Sequence, residues 1–136
     1  MTSNQRQLVR QSFDAVRDQA GPFSLLFYGK LFELDPSARR MFHVDLALQG
    51  RKIVDTLATV TESLDRFESI RPRLASLGRQ HAGYGVRPEQ YDTITAALLW
   101  AIGQALGADF DAPTREAWKL ALNAVSTAMI EGAQQP

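Results

Sequence analysis

His81 stands at the end of an apolar helical pattern and is the residue best placed to do chemistry. Leu74 and Leu77 precede it at helical intervals, and Tyr91 follows ten residues later. Residues three or four apart lie on one face of a helix, so the imidazole is predicted to lie among apolar side chains. A neutral imidazole in such a place can bind a metal through one ring nitrogen, or it can be a hydrogen-bonded histidine of the core or the surface.

A second helical pattern carries one polar residue among apolar ones. Gln49, Ile53 and Leu57 follow one another at intervals of four. Two helical faces that each hold one polar group would face each other across a flat pocket. Haem iron needs one strong axial donor and an apolar slot that excludes water, so these two faces suit a haem with His81 as the donor.

The elements that must position these residues are helices. Apolar residues recur with helical spacing almost everywhere, and there is no sustained alternation with a period of two. Thr2 and Gln5 match a capping box, which starts a helix that we expect to end at Gly21-Pro22. From Pro22, two apolar stripes predict an interior helix packed on more than one side. The stripes are Phe23, Phe27, Leu31 and Leu34, and Leu25, Tyr28 and Phe32.

Shorter signals divide the middle of the chain. Asp35-Pro36 predicts a short helix to about Phe42, followed by a corner at residues 43–45. The stripe from Leu46 to Leu64 predicts a helix of about five turns. A loosely patterned stretch at 65–69 then leads to the His81 helix, which we place at residues 74–82.

Two more helices are predicted after the glycines at 83 and 85. Pro88-Glu89 favours a new start, and the inner face of this helix would carry Tyr91, Ile94, Leu98 and Ile102. Residues 107–111 form a turn, and Pro113 lies near the start of the last helix. We expect that helix to fray into a tail from Gly132 to Pro136.

Length and composition limit the classes of function. A chain of 136 residues suits one domain, residues 1–136. Fifteen basic residues balance fifteen acidic ones, so neither nucleic acid nor an anionic membrane is favoured as a partner. The absence of cysteine excludes disulfides and thiolate metal sites. No apolar run approaches the roughly 20 residues of a membrane span, and no signal peptide is recognisable, so we expect a cytoplasmic protein.

Several segments, in the correct order, resemble the single-domain haemoglobins of bacteria and the globin domain of flavohaemoglobins. Leu-Gly-Arg-Gln-His at 77–81, Tyr-Gly-Val at 84–86 and Pro-Glu-Gln-Tyr at 88–91 are similar to the proximal segment of that family. Leu-Phe-Tyr at 26–28, Met-Phe at 41–42 and Gln-Gly-Arg-Lys-Ile at 49–53 resemble its distal elements. The resemblance covers residues 5–129 and thins out after Gly107, where it rests mainly on Trp118.

The resemblance implies an all-α globin fold whose helices sandwich haem b. It implies that His81 binds the iron, that Phe42 wedges against the haem and that Val86 touches the porphyrin. Tyr28 and Gln49 would face the bound gas. The implied haem-binding residues are Phe42, Gln49, Lys52, Ile53, Leu57, Leu77, Gln80, His81, Val86, Tyr91 and Ile94.

Each of these roles has an alternative in ordinary packing. Tyr28 can be a core tyrosine whose hydroxyl reaches a backbone carbonyl, and Gln49 can be a polar residue near a helix start. Phe42 can belong to the core. The other histidine, His43, is expected near solvent or a haem propionate rather than on the iron.

One position departs from the family pattern. In flavohaemoglobins, a proximal tyrosine and a glutamate form one hydrogen-bond network with the iron-bound histidine. Tyr91 matches the tyrosine of that network. Counting from Trp118, the matching position is Ala133, and the nearest acid, Glu131, comes two residues earlier. Two residues are a rotation of about 200° on a helix, which would point Glu131 away. We therefore expect the second imidazole N–H to bond to the carbonyl of Leu77.

The resemblance implies reversible oxygen binding, for carriage or storage. Other diatomic gases are alternative ligands, and the partners could include a separate reductase. Nitric oxide dioxygenase activity would need that reductase, because no Gly-rich dinucleotide motif is present. Haem-based sensing and a haem-free helical interaction module are further alternatives. We expect a monomer or a weak homodimer.

Overall fold

The computed structural model describes residues 1–41 and 46–134, except for the side chains of Leu46 and Ala47. The described residues form helices and contain no strand, so the all-α prediction is confirmed. The helices are α1 Ser3–Asp18, α2 Ala20–Leu34, α3 Leu46–Glu62, α4 Arg71–Gly83, α5 Gln90–Leu106 and α6 Ala112–Ala133. Short 3-10 segments at Pro36–Met41, Leu64–Ser69 and Gly107–Asp109 connect them.

Helix α1 begins as predicted and ends slightly earlier. The Thr2 side chain accepts from the Gln5 backbone while the Gln5 side chain accepts from the Thr2 backbone, which is the capping box. The chain turns at Gln19, and Gly21-Pro22 lies in the first turn of α2. Proline is tolerated there because first-turn N–H groups have no partner within the helix.

Helix α2 is buried on one side only, so the prediction of a helix packed on more than one side is wrong. Phe27 and Tyr28 are almost fully buried, whereas Leu25 is 70% exposed and Leu34 is 47% exposed. Helices α3 and α5 both pack against the buried side. The spacing of apolar residues includes Leu25 in a stripe, but it does not show whether another helix packs against that stripe.

Glycines allow two pairs of helices to approach closely. A Cβ on Gly50 of α3 would overlap with Ser24 of α2. A Cβ on Gly132 of α6 would overlap with Ala75 of α4. Gly132 is therefore buried inside a helix that continues to Ala133, and the prediction of a frayed tail from Gly132 is wrong.

None of the helices in the two described ranges is both long enough and apolar enough to cross a lipid bilayer.

Candidate functional site

A crevice opens between α3 on one side and α4, α5 and α6 on the other, with α2 at its end. Its empty space, counting solvent at the mouth, is about 1160 Å³. Ten of the residues singled out in the sequence line it, which brings both polar-bearing helical faces to one cavity. They are Tyr28, Gln49, Lys52, Ile53, Leu57, Leu77, Gln80, His81, Tyr91 and Ile94.

The His81 imidazole has a defined tautomer in this crevice. Its Nδ1 lies 2.8 Å from the carbonyl oxygen of Leu77, so Nδ1–H donates, as predicted. Burial lowers the pKa of His81, and the bond to Leu77 opposes that shift only in part. The ring is therefore neutral at pH 7 and keeps the lone pair of Nε2 for a metal.

Tyr28 lies on the buried side of α2 and is 3% exposed. Its ring contacts Phe27 at 5.1 Å and stacks on Phe32 at 5.9 Å between ring centroids. Burial raises the pKa of the Tyr28 hydroxyl to about 12. The hydroxyl therefore carries its proton throughout the physiological range and can donate a hydrogen bond.

Helix α3 supplies the opposite wall. Gln49 is half-buried beside Gly50, where α3 passes close to α2. Ile53 and Leu57 follow at one-turn intervals, and Leu57 is 5% exposed. The exposed Lys52 lines the same cavity. This wall is thus largely apolar, with the amide of Gln49, the hydroxyl of Thr56 and the cation of Lys52 along it.

Tyr91 lines the same crevice as His81, but Glu131 does not. Tyr91 is buried on α5, and burial raises the pKa of its hydroxyl. The Glu131 carboxylate is 61% exposed and lies 3.8 Å from Nη1 of Arg71, which also binds Glu68 at 2.9 Å. Glu131 therefore faces the surface, and the doubt raised by its sequence position is justified.

A side-chain hydrogen bond connects the start of α5 to the end of α2. The buried Gln90 donates from Nε2 to Oδ2 of Asp35 at 3.1 Å. Its Oε1 accepts from the Arg87 backbone at 2.8 Å. Hydrogen bonds from Ser37 and then from Gln90 hold the pKa of Asp35 below its usual value. This contact sets the position of Tyr91, the next residue along α5.

Three other predicted residues have different outcomes. Val86 is buried in an apolar cluster that also contains Leu74 and Tyr91, and it does not line the crevice. Its backbone N–H donates to the carbonyl of His81 at 3.0 Å. Phe42 and His43 lie outside the described residues. Val86 therefore helps to position the end of α4, where His81 lies, and is not part of the cavity wall.

Sequence reasoning missed ten lining residues. Four of them carry a hydroxyl group, and two of these four, Thr95 and Ser126, hydrogen-bond to each other at 3.3 Å. Apolar spacing places Leu98 on the inner face of α5, and Leu122, Val125 and Met129 on one face of α6, but it gives no signal for Ser126. The missed residues are Phe27, Thr56, Val60, Tyr84, Thr95, Leu98, Leu122, Val125, Ser126 and Met129.

The ligands available in this cavity limit the kind of metal site. Across the part of the chain that the structure describes, no three His, Asp or Glu side chains cluster in a way that could hold a metal ion. A bare ion would therefore lack ligands in the crevice. A metal that brings its own planar ligand needs only one protein donor, and His81 provides one in an apolar setting.

The Globin family model matches residues 25–129. The chain belongs to the globin family. A neuroglobin of the fish Tetraodon nigroviridis is 25% identical over 146 aligned positions, which cover 97% of this chain and 92% of the relative.

Two solved structures have the same fold. An engineered carbene transferase assigned as a nitric oxide dioxygenase of Rhodothermus marinus is 26% identical, with a TM-score of 0.88, covering 98% of this chain and 93% of that one. A bacterial globin of Campylobacter jejuni is 21% identical, with a TM-score of 0.87, covering 98% and 96%. The predicted globin fold and the resemblance to bacterial haemoglobins are confirmed.

Globins bind haem and, through it, diatomic gases, so this chain is a haem-binding globin. The crevice fits that cofactor on chemical grounds. Its walls are largely apolar, a neutral imidazole lines it, and the exposed cation of Lys52 can meet an anionic propionate. The predicted cofactor is confirmed at the level of the family.

Proposed function

We propose that this globin binds oxygen reversibly, with His81 as the iron ligand and with Tyr28 and Gln49 beside the bound gas. The observation that carries the proposal is the 2.8 Å contact between Nδ1 of His81 and the carbonyl of Leu77. That bond leaves Nε2 unprotonated and fixes the orientation of the ring, so Nε2 would be available to hold the iron of a bound haem. Haem supplies the iron to which the gas binds.

Tyr28 is the strongest hydrogen-bond donor on the gas side. Oxygen acquires partial negative charge when it binds, so a protonated hydroxyl stabilises the bound state and slows release. The pKa of about 12 keeps that proton in place. Gln49, on the facing helix, offers an amide N–H as a second donor.

Apolar residues protect the bound gas from water. Ile53 and Leu57 cover the α3 side of the crevice, while Leu77 and Ile94 lie on the other side. Water and protons promote loss of electrons from reduced haem, so a dry cavity favours reversible binding over oxidation.

The position of Glu131 also supports reversible binding. A carboxylate bonded into the proximal network would make the imidazole more basic and favour oxygen activation. Here Glu131 pairs with Arg71 at 3.8 Å, and His81 donates to a neutral carbonyl instead. The proximal side therefore donates electron density only moderately.

The test is repeated oxygenation of the haem-loaded protein. We expect the ferrous spectrum to shift under oxygen and to return fully under argon over several cycles. His81→Gly should lose the ferrous spectrum of the parent and regain it when imidazole is added. Arg79→Ala, an exposed neighbour on α4, should behave as the parent. Failure to bind haem, or conversion to the ferric form in the first cycle, would reject the proposal.

Nitric oxide dioxygenase activity is the second candidate, since the Rhodothermus neighbour carries that assignment at 26% identity. Conversion of nitric oxide and oxygen to nitrate consumes one electron, so activity would depend on a separate reductase. Oxygenated protein mixed with nitric oxide should then give nitrate, and a cell extract with NADH should restore the ferrous form within seconds. Slow recovery would leave oxygen carriage as the function.

A further inference from the structure

A second depression lies on the outside of the molecule, directly behind the crevice. It is an open groove between α5 and α6, with Ala96, Leu99 and Trp100 on one side and Lys119 and Asn123 on the other. Thr95 belongs to the lining of both the groove and the crevice. The two spaces are therefore separated, at this point, by a wall as thin as one side chain.

Consecutive residues of the same two helices face the two spaces. On α5, Leu98 lines the crevice and Leu99 lines the groove. On α6, Leu122 lines the crevice and Asn123 lines the groove. The wall between them is closed where Thr95 meets its partner on α6.

The closing contact is a single weak hydrogen bond. The hydroxyl oxygens of Thr95 and Ser126 lie 3.3 Å apart, longer than the usual O–H···O distance. Both side chains are small, and Thr95 is 9% exposed. Rotation of these two side chains breaks one hydrogen bond and far fewer packing contacts than separation of α5 from α6 would, so this contact can open far more often than the helices can separate.

We propose that small neutral gases reach the crevice through a passage between α5 and α6, gated by Thr95 and Ser126. The proposal rests on the proposed function, since it assigns the entry route of the same gas. Lys52, Gln80 and Tyr84 line the crevice, all three of them exposed, so a haem edge would fill that mouth. The passage admits gas from the opposite side while the haem stays in place.

Blocking the groove from outside tests the route. Ala96 is exposed and lines the groove but not the crevice, so Ala96→Trp fills the passage without touching the haem pocket. We expect the rate of carbon monoxide association after flash photolysis to fall by about threefold in this variant. A fall of that size would mean that about two thirds of the gas molecules enter through the passage. Ala124→Trp, on α6 outside the groove lining, is the matched control and should keep the parental rate.

Loosening the gate should have the opposite effect. Thr95→Val keeps the shape of the side chain but removes its hydroxyl, and so removes the hydrogen bond to Ser126. A neutral hydrogen bond of this kind corresponds to about a threefold to tenfold change in how often the gate opens. Association should therefore quicken in Thr95→Val.

Xenon provides a readout that does not depend on gas binding to iron. Under xenon pressure, amide signals of Thr95, Leu99 and Ser126 should shift in the carbon monoxide form of the parent, and should shift less in Ala96→Trp. Xenon shifts confined to Lys52, Tyr84 and their neighbours, together with an unchanged association rate in Ala96→Trp, would overturn the passage. A parent that binds no carbon monoxide at all would instead reject the proposed function.

Discussion

Gly78 of α4 faces the backbone carbonyl of Met129 on α6 so closely that a Cβ on Gly78 would overlap with it. This contact lets α4 lie directly on α6. His81 follows three residues later on the same helix, so the contact also sets the depth at which the imidazole meets the crevice. The position of the candidate iron ligand thus depends on a residue that has no side chain.

A methyl group at position 78 should be costly. Gly78→Ala forces α4 away from α6, and we expect the free energy of unfolding to fall by about 1–3 kcal/mol, as for other overpacked contacts. Gly83→Ala is the matched control on the same helix, because a Cβ there meets nothing within 4 Å. It should leave the free energy of unfolding unchanged or raise it by up to about 1 kcal/mol. Urea unfolding of both variants, followed by circular dichroism, measures the difference, and equal stabilities would contradict this account.

Removing the Tyr28 hydroxyl should speed oxygen release. A hydrogen bond to a charged acceptor contributes about 1.5–3 kcal/mol, so Tyr28→Phe should raise the oxygen dissociation rate about tenfold or more. Carbon monoxide acquires less negative charge, so its dissociation should change far less. Stopped-flow measurement with both gases gives the comparison. An oxygen rate equal to that of the parent would remove Tyr28 from this role.

Oxygen release should also be insensitive to alkaline pH. Burial raises the pKa of Tyr28 to about 12, so the donor proton is retained and the bond to oxygen persists as the pH rises. We expect a constant dissociation rate from about pH 6 to pH 10 and an increase only as the hydroxyl ionises above that range. An increase in the parent near pH 9, absent in Tyr28→Phe, would show that the hydroxyl ionises earlier than its burial implies.

Glu131 should be dispensable for the proximal side. Its carboxylate pairs with Arg71 at the surface, so Glu131→Gln should leave the iron–histidine stretching frequency of the ferrous protein at the parental value. A substitution cannot remove the backbone carbonyl of Leu77, so the comparison variant is Tyr91→Phe, which changes another buried side chain of the same crevice. Resonance Raman spectra report the frequency directly. A shift in Glu131→Gln would mean that the carboxylate reaches the histidine in solution.

Most of the helices were predictable because their signals are local. The capping box at Thr2 and the apolar faces of α3 and α5 depend on residues a few positions apart, and the structure bears them out. The predictions for Leu25 and Gly132 were wrong because local signals do not report contacts with distant helices. Whether an apolar residue is covered, or a glycine is needed for a close approach, depends on a helix far away in the sequence.

The site was only partly accessible to the same reasoning. His81, Gln49 and Tyr28 stood out because a polar group interrupts an apolar pattern or because a motif resembles a family. Thr95 and Ser126 did not, since 31 residues separate them and neither is unusual on its own helix. Their pairing exists only because α5 and α6 pack side by side.

The sequence by itself determined the all-helical class, the histidine with its carbonyl partner one turn back, and the absence of an acid at position 133. All of these follow from spacing within one helix, where backbone geometry fixes which residues meet. The tertiary structure alone decided which face of α2 is covered, where Glu131 finds its partner, and how thin the wall is between the crevice and the outer groove. Those relationships depend on how closely two helices can approach, which the size of side chains on both helices sets together.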